Sequence, residues 1–360
     1  MDGSEGERRG AILSSLATRL AGAAMPVVIA LVAGGLLIAV SHTDPVQAYG
    51  AMLSGAFGSI NGLAETLVKA TPLLLASLGV SVAFRSRLFN VGAEGQLYIG
   101  ALAATLVAFR TGGLAPGLAI ALVILAGALG GGAWGLIPGY LKARHGLDEI
   151  IVTIMLNYVA TLLISFLVRN NLRDPSGYLP HSAPLPSATV LPVIVAGTRL
   201  HAGLFIALAA ALLVFILLWR TRVGYELRMV GTGPEAARAA GINVALTTVV
   251  AMTISGALAG LAGMSEVAGV HHRLLEDISP GYGFTAIAIA LLGGNSPLGI
   301  TLASFLFAGL DVGSSAMQTR VGVPVHVVTV IQGAIILLVV GREAFGRLRR
   351  FGARSSQGKA

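Results

Sequence analysis

Residues 201–219 read His-Ala-Gly-Leu-Phe-Ile-Ala-Leu-Ala-Ala-Ala-Leu-Leu-Val-Phe-Ile-Leu-Leu-Trp, with no acid, Lys or Arg until Arg220. About 20 apolar residues in a helix cross the hydrocarbon core of a bilayer. Similar runs cover approximately 22–41, 63–84, 88–109, 114–141, 148–168, 244–268, 282–294, 297–316 and 323–341, making ten with the quoted one. Lipid offers the backbone no hydrogen-bond partners, so only helices or closed barrels span it. These runs are continuous rather than alternating, which reads as helix. The expected fold is all-α, a polytopic membrane protein of about ten transmembrane helices. The run 282–294 is too short to cross at 1.5 Å per residue and reads as a broken or re-entrant half-helix. The semi-polar stretch 49–60 is expected at the outer interface.

Composition agrees. Of 360 residues, 55% are hydrophobic and 11% charged, against about 25% charged in soluble chains. The mean hydropathy is +0.83. The absence of cysteine excludes disulfides, thiol catalysis and Cys-ligated metals. The net charge of +8 does not mark a nucleic-acid surface, because the cations sit at helix ends and in short loops. Arg8, Arg9 and Arg19 precede a first run of spanning length with no small-residue cleavage site, which reads as a retained helix. The expected organisation is a cytoplasmic segment 1–21, a transmembrane domain 22–341 and a basic cytoplasmic tail 342–360.

With the N-terminus inside, 17 Lys and Arg residues fall on the inside and 6 on the outside, and Lys69 lies within a span. That asymmetry predicts both termini in the cytoplasm and an even number of crossings. Ten crossings divide into two five-helix halves of inverted orientation, a transporter plan with the solute path at their interface.

The most polar stretch inside an apolar run is Leu88-Phe-Asn90-Val-Gly-Ala-Glu94-Gly-Gln96-Leu-Tyr98-Ile-Gly100. A carboxylate there is costly and must face protein or water. If the whole stretch is helical, Asn90, Glu94 and Tyr98 share one face. Glu94 and Gln96 read either as lining of a solute path or as interhelical fasteners, with Glu94 bonded to backbone at a helix break. Thr153 and Asn157 are an i, i+4 pair, of which Asn157 is the better cavity candidate because Thr often bonds its own helix. Glu65 and Lys69 read as a structural i, i+4 pair, and Glu266 and Asp311 as acids solvated at outer helix ends. Segment 282–300 contains Phe284 and the break Gly293-Gly-Asn295-Ser-Pro297, which reads as solute-contacting unwound backbone or as a plain cytoplasmic turn.

The longest inside loop, 220–243, carries Glu226, Arg228 and Gly231-Thr-Gly-Pro234-Glu235-Ala236-Ala-Arg238-Ala239-Ala-Gly241. Its match to a dinucleotide fingerprint is weak, since no strand precedes it. Pro234 suits a helix start and Gly241 a stop, so a short surface helix over about 234–240 is expected, suited to docking a soluble partner. His271, His272 and Glu276 lack the geometry of a metal site, and none is expected. No Gly-Lys-Ser/Thr loop for ATP occurs, and no catalytic triad can be argued.

Phe89-Asn-Val-Gly-Ala-Glu-Gly-Gln96 resembles the signature of permeases of bacterial ABC importers for simple sugars, nucleosides and branched-chain amino acids. The similarity is greatest to the guanosine/nucleoside-type subfamily, and Glu149–Tyr158, Gly231–Ile242 and Gly283–Gly299 agree with it. It covers roughly residues 25–341. The chain departs at Gly294, where many relatives carry a larger polar residue. The resemblance implies a bacterial inner-membrane transport subunit that is not an enzyme and binds no cofactor, ATP being held by separate ATPase subunits. It also implies a second permease, often forming a heterodimer, and an extracytoplasmic solute-binding lipoprotein. Loop 231–242 would be the coupling helix in the ATPase cleft. Topology alone equally permits an ion-coupled secondary transporter, but the charge network such a protein needs is thin here.

Overall fold

The computed structural model describes residues 25–40, 42–175, 177, 179–339 and 341. The segment 1–21 and the tail 342–360 lie outside them. Among the described residues there is no β-strand, only three isolated bridges. The helices are α1 (Met25–Val40), α2 (Pro45–Phe57), α3 (Ile60–Arg85), α4 (Ala93–Thr111), α5 (Pro116–His145), α6 (Glu149–Arg169), α7 (Gly203–Arg220), α8 (Arg222–Thr232), α9 (Pro234–Ala239), α10 (Val244–Ser265), α11 (Tyr282–Leu292), α12 (Pro297–Val321) and α13 (His326–Val339). A π-helical turn, Glu266–His271, extends α10.

Six helices among the described residues are long and apolar enough to cross a membrane: α3, α5, α6, α7, α10 with its π-turn, and α12. The expected ten runs are therefore not ten such helices. The helices α1, α11 and α13 are shorter. The 19-residue α4 carries Glu94, Gln96 and Arg110, and most of its residues are buried by protein rather than facing outward. Residues 45–57, expected partly as interfacial chain, form a helix of their own.

The chain divides into two compact units. In residues 56–312, α10 packs antiparallel against α5 along a seam of small residues. A Cβ on Gly131 would lie 2.3 Å from the Gly256 carbonyl oxygen and 2.6 Å from the Gly260 Cα. Further along, Gly127 meets Met264 and Gly135 meets Met252. Apolar side chains gain nothing by leaving lipid for one another, so close backbone packing must supply the attraction. The same helix receives α4, with Gly100 on Gly260, and α3, with Gly79 on Ser255.

The long connection before α7 is sewn to the segment after the π-turn. Ser182 N–H donates to Leu274 O at 2.9 Å, and Leu185 N–H to His272 O at 2.8 Å. Arg169 holds Glu276 through a forked ion pair at 2.9 Å. In the second unit, formed by described residues up to 55 and from 313 onward, the Tyr49 hydroxyl donates to Leu31 O at 2.5 Å. There Gly34 abuts Ile331, and Gly55 abuts Ala316.

Three expectations about charged residues change. Glu65 does not pair with Lys69 but with Arg199, at 2.5 and 2.8 Å. Lys69 pairs instead with Asp311, so neither acid is merely solvated. Glu266 is buried, with its carboxylate 3.3 Å from His271 Nε2. No cluster of three His, Cys, Asp or Glu that could hold a metal occurs among the described residues.

Candidate functional site: two helix N-termini around Glu94

The span expected from residue 88 becomes helical only at Ala93. Arg87 adopts a left-handed conformation with φ 58°. The Asn90 side-chain oxygen accepts from Gly92 N–H at 3.0 Å, a local bond that favours a turn over a helix. Asn90 therefore lies in the lead-in and does not share a helical face with Glu94 and Tyr98. Its amide nitrogen donates to Gln96 Oε1 and Ser255 Oγ, both at 2.8 Å. Asn90, Gln96 and Ser255 are all buried. Their mutual bonding satisfies groups whose burial would otherwise be costly.

Asn157, nine residues into the 21-residue α6, clamps the same turn from the other side. Its oxygen accepts from Gly95 N–H at 2.8 Å and its nitrogen donates to Val91 O at 3.0 Å. Thr153 bonds its own helix, donating to Glu149 O at 2.7 Å, and its methyl faces Gly92, where a Cβ would lie 2.9 Å from it. Glu149, not singled out by the sequence reading, accepts from Phe89 N–H at 3.3 Å and pairs with Lys142 at 2.8 Å. The start of α4 is thus fastened about halfway along α6 and α10, since Ser255 is the twelfth residue of the 22-residue α10.

At that depth α11 also begins. Glu94 lies in the first turn of α4, and its Oε2 accepts from Gly283 N–H in the first turn of α11 at 2.6 Å. Just ahead of it the Ser279 hydroxyl accepts from Gly281 N–H at 3.2 Å and from Tyr282 N–H at 2.9 Å, closing the turn that leads into α11. The first N–H groups of a helix have no partner within it and carry the positive end of its dipole. One acid thus serves two converging helix starts. The approach is close: a Cβ on Gly283 would lie 2.2 Å from Glu94 N and 2.5 Å from its Cα. This is the fastening role at a helix break that the sequence left open, and it places a carboxylate inside the bundle. Tyr98, one turn on, is buried.

Beside this junction lies a cleft of about 340 Å³ lined by Val91, Glu94, Ile154, Asn157, Tyr158, Thr161 and Phe284. Tyr158 and Phe284 are exposed, so two aromatic rings stand open in its lining. Of the residues expected in a solute path, Glu94, Asn157 and Phe284 line the cleft, while Asn90, Gln96, Tyr98 and Thr153 do not. Asn295 is not brought there. It sits in the tight turn at the opposite end of α11, with φ 52°, and its carbonyl accepts from Arg85 Nη2 at 2.6 Å. Gly294, with φ 61°, occupies a left-handed conformation that favours glycine. Tyr158, Thr161, Val91 and Ile154 were missed. The i, i+4 spacing of Ile154 to Tyr158 and of Asn157 to Thr161 was the available signal.

The loop 220–243 is two helices rather than one. Thr221 caps α8, accepting from Gly224 N–H at 3.1 Å, and α8 buries Gly224, Leu227 and Val230 along one face. Gly231 packs against the Arg85 carbonyl, where a Cβ would lie 1.9 Å away. Arg228 turns back toward Trp219, while Glu226 is held by Arg222 at 2.9 Å. The helix α9 starts at Pro234 and ends before Gly241, whose φ is 78°, as expected. Glu235, Ala236, Arg238 and Ala239 are exposed on it and Ala237 is buried.

Residues 62–340 match the family model described as branched-chain amino acid transport system / permease component. A glucose ABC transporter permease protein of Haloferax volcanii is 40% identical over 335 residues, covering 90% of this chain and 88% of that one. The guanosine ABC transporter permease protein NupP of Bacillus subtilis is 39% identical, covering 91% and 96%. A second Bacillus subtilis guanosine permease protein, NupQ, is 29% identical over 67% of this chain and 78% of its own. No solved structure matches the chain.

Proposed function

The chain belongs to the family of branched-chain amino acid transport system permease components, and on that premise we propose that it carries nucleosides or related sugar-bearing solutes as the membrane subunit of an ABC importer. It is a transport subunit, not an enzyme, as its relatives are permease proteins of ABC transporters. That membership sets aside the ion-coupled secondary transporter.

The observation that carries the solute assignment is the cleft beside Glu94. Its volume of about 340 Å³ lies in the range of small-molecule sites, roughly 300–1,000 Å³. Two aromatic faces offer stacking to a base or to the C–H face of a sugar ring. Asn157, Thr161, the Tyr158 hydroxyl and the Glu94 edge offer hydrogen bonding to hydroxyl groups. The names of the relatives, a glucose and a guanosine permease protein, fit the same chemistry.

The placement of both termini inside rests on the 17-to-6 charge bias, and that in a bacterial cell membrane on the Bacillus subtilis relatives. Ten crossings in two inverted halves remain the topology that accounts for this bias together with the short α11. A second permease is supported by the two matching guanosine permease proteins of one organism. The exposed stripe Ile151, Met155, Leu162 and Phe166 on α6 is suited to face it. ATP would bind to separate ATPase subunits docked on α8 and α9, and an extracytoplasmic lipoprotein would deliver the solute.

The test is uptake by the reconstituted importer of labelled guanosine, adenosine, glucose, ribose and leucine. Saturable, ATP-dependent uptake of nucleosides or sugars is expected. Uptake of leucine alone would refute the solute assignment.

A further inference from the structure

Away from the cleft, two arginines converge on one indole. Arg85 ends α3, Arg228 lies on α8 and Trp219 is the next-to-last residue of α7. The guanidinium carbons lie 4.8 and 5.6 Å from the Trp219 ring centroid. Arg85 Nη2 has a partner, the Asn295 carbonyl. Arg85 Nε and Arg228 Nη1 are buried with no hydrogen-bond partner. Neither arginine belongs to an ion pair among the described residues, and the acid adjacent on α8, Glu226, is taken by Arg222.

Two like charges over one ring repel each other, and buried N–H donors without acceptors are unfavourable. The indole face attracts a cation but accepts nothing from the guanidinium edge. The planar guanidinium fork matches the oxygens of a phosphate. We infer that Arg85, Arg228 and Trp219 form a binding site for the phosphate of an anionic phospholipid headgroup.

A lipid fits better than a soluble ion because of what surrounds the site. Leu212, Leu213, Phe215, Ile216 and Trp219 are exposed along α7, so the helix presents an apolar face ending in an aromatic ring. Tryptophan at a span end sits at headgroup level. Exposed Arg87, Arg220 and Arg222 lie at or just beyond the ends of the same helices. Basic pockets at the cytoplasmic ends of membrane helices attract anionic headgroups.

The experiment is native mass spectrometry of the purified full-length chain, released from an equimolar mixture of phosphatidylglycerol and phosphatidylcholine. The wild-type chain should retain phosphatidylglycerol about tenfold over phosphatidylcholine, and millimolar inorganic phosphate should not displace it. Arg85→Gln with Arg228→Gln should bring the ratio near one, while the double Lys variant should keep part of the preference. Should the double Gln variant fail to fold, Arg228→Gln alone must lower the ratio severalfold. No preference in the wild-type chain, or a preference unchanged in the Gln variants, overturns the inference. Displacement by inorganic phosphate would make the site one for a soluble anion. Loss of the lipid when a partner subunit assembles, with an acid of that subunit crosslinking to Arg228, would make it a protein contact. Both outcomes refute the lipid assignment.

Discussion

Replacing Glu94 by Leu removes the acid that joins the starts of α4 and α11. A hydrogen bond to a charged group contributes about 1.5–3 kcal/mol. The interaction of an acid with a partly buried helix N-terminus adds up to about 2 kcal/mol. Leu supplies neither and leaves the buried Gly283 N–H, now bonded at 2.6 Å, without an acceptor. Together these give an expected loss of about 1.5–5 kcal/mol, concentrated on α11. A glutamine in place of Glu94 would keep one acceptor oxygen and nearly the same volume, so Glu94→Gln should lose about 1–2 kcal/mol. The two variants should therefore differ by a few kcal/mol in the same direction. Thermal unfolding of the purified chain and solute uptake by the reconstituted importer read the two consequences separately. Glu94→Leu is expected to unfold earlier and transport poorly, and Glu94→Gln to fold well with reduced uptake. Normal stability and normal uptake in Glu94→Leu would refute the reasoning, because the acid would then neither hold the junction nor face the solute.

Asn157→Leu should lower stability by about 2–4 kcal/mol, since it leaves Gly95 N–H and Val91 O without partners; chemical denaturation of the purified chain measures it. Ala239→Trp or Ala240→Trp should uncouple ATP hydrolysis from uptake by steric exclusion at α9, with Glu235→Ala milder because an exposed charge contributes under about 1 kcal/mol; full coupling in both Trp variants would place the ATPase elsewhere. Cysteines introduced at Ser187 and at Glu235 should react with an impermeant reagent from opposite sides of the membrane; labelling of both from outside would overturn the orientation. The Ser165 hydroxyl and Arg169 hold the Glu276 carboxyl below the usual carboxylate range. A lowered folded value stabilises the folded state above the ordinary Glu range and is lost as pH falls through it, so protease resistance of the loop after α6 should drop only in strong acid, and Glu276→Gln should lack that step.

Features that depend on one segment alone were legible in the sequence. Continuous apolar runs disclosed the helices, and Pro234 and Gly241 bracketed α9 because a missing N–H and a positive φ act locally. The short run at 282–294 announced a helix too short to cross. What failed was pairing over distance. Local spacing joins Glu65 to Lys69, but their partners lie 134 and 242 residues away. Likewise Asn90 appeared to share a face with Glu94 because helical spacing was carried through residues 88–92, where an Asn–Gly turn prevails. The seam of α5 and α10 shows in sequence only as abundant glycine, since no residue names its partner across the bundle. The helix α8 was within reach: Gly224, Leu227 and Val230 recur every three residues.

The placement of α11 links the candidate solute site to the docking elements. Its first turn is bonded to Glu94 beside the cleft. The turn that follows its last residue is bonded through Asn295 to Arg85. Arg85 carries the carbonyl on which Gly231 of α8 packs, and the neighbouring Ser86 donates to Leu227 of α8 at 3.3 Å. A short helix, stiff because its backbone is hydrogen-bonded along its length, thus runs from the cleft to the elements suited to dock an ATPase. Its ends are held by two unlike contacts, an acid shared between helix starts and a guanidinium on a backbone carbonyl. A full-length span could not do this, because its start would lie at the far surface, outside the reach of an acid halfway along α6 and α10. The shortness of α11, which made it anomalous among the apolar runs, is what lets one end meet Glu94 while the other meets α3 and α8.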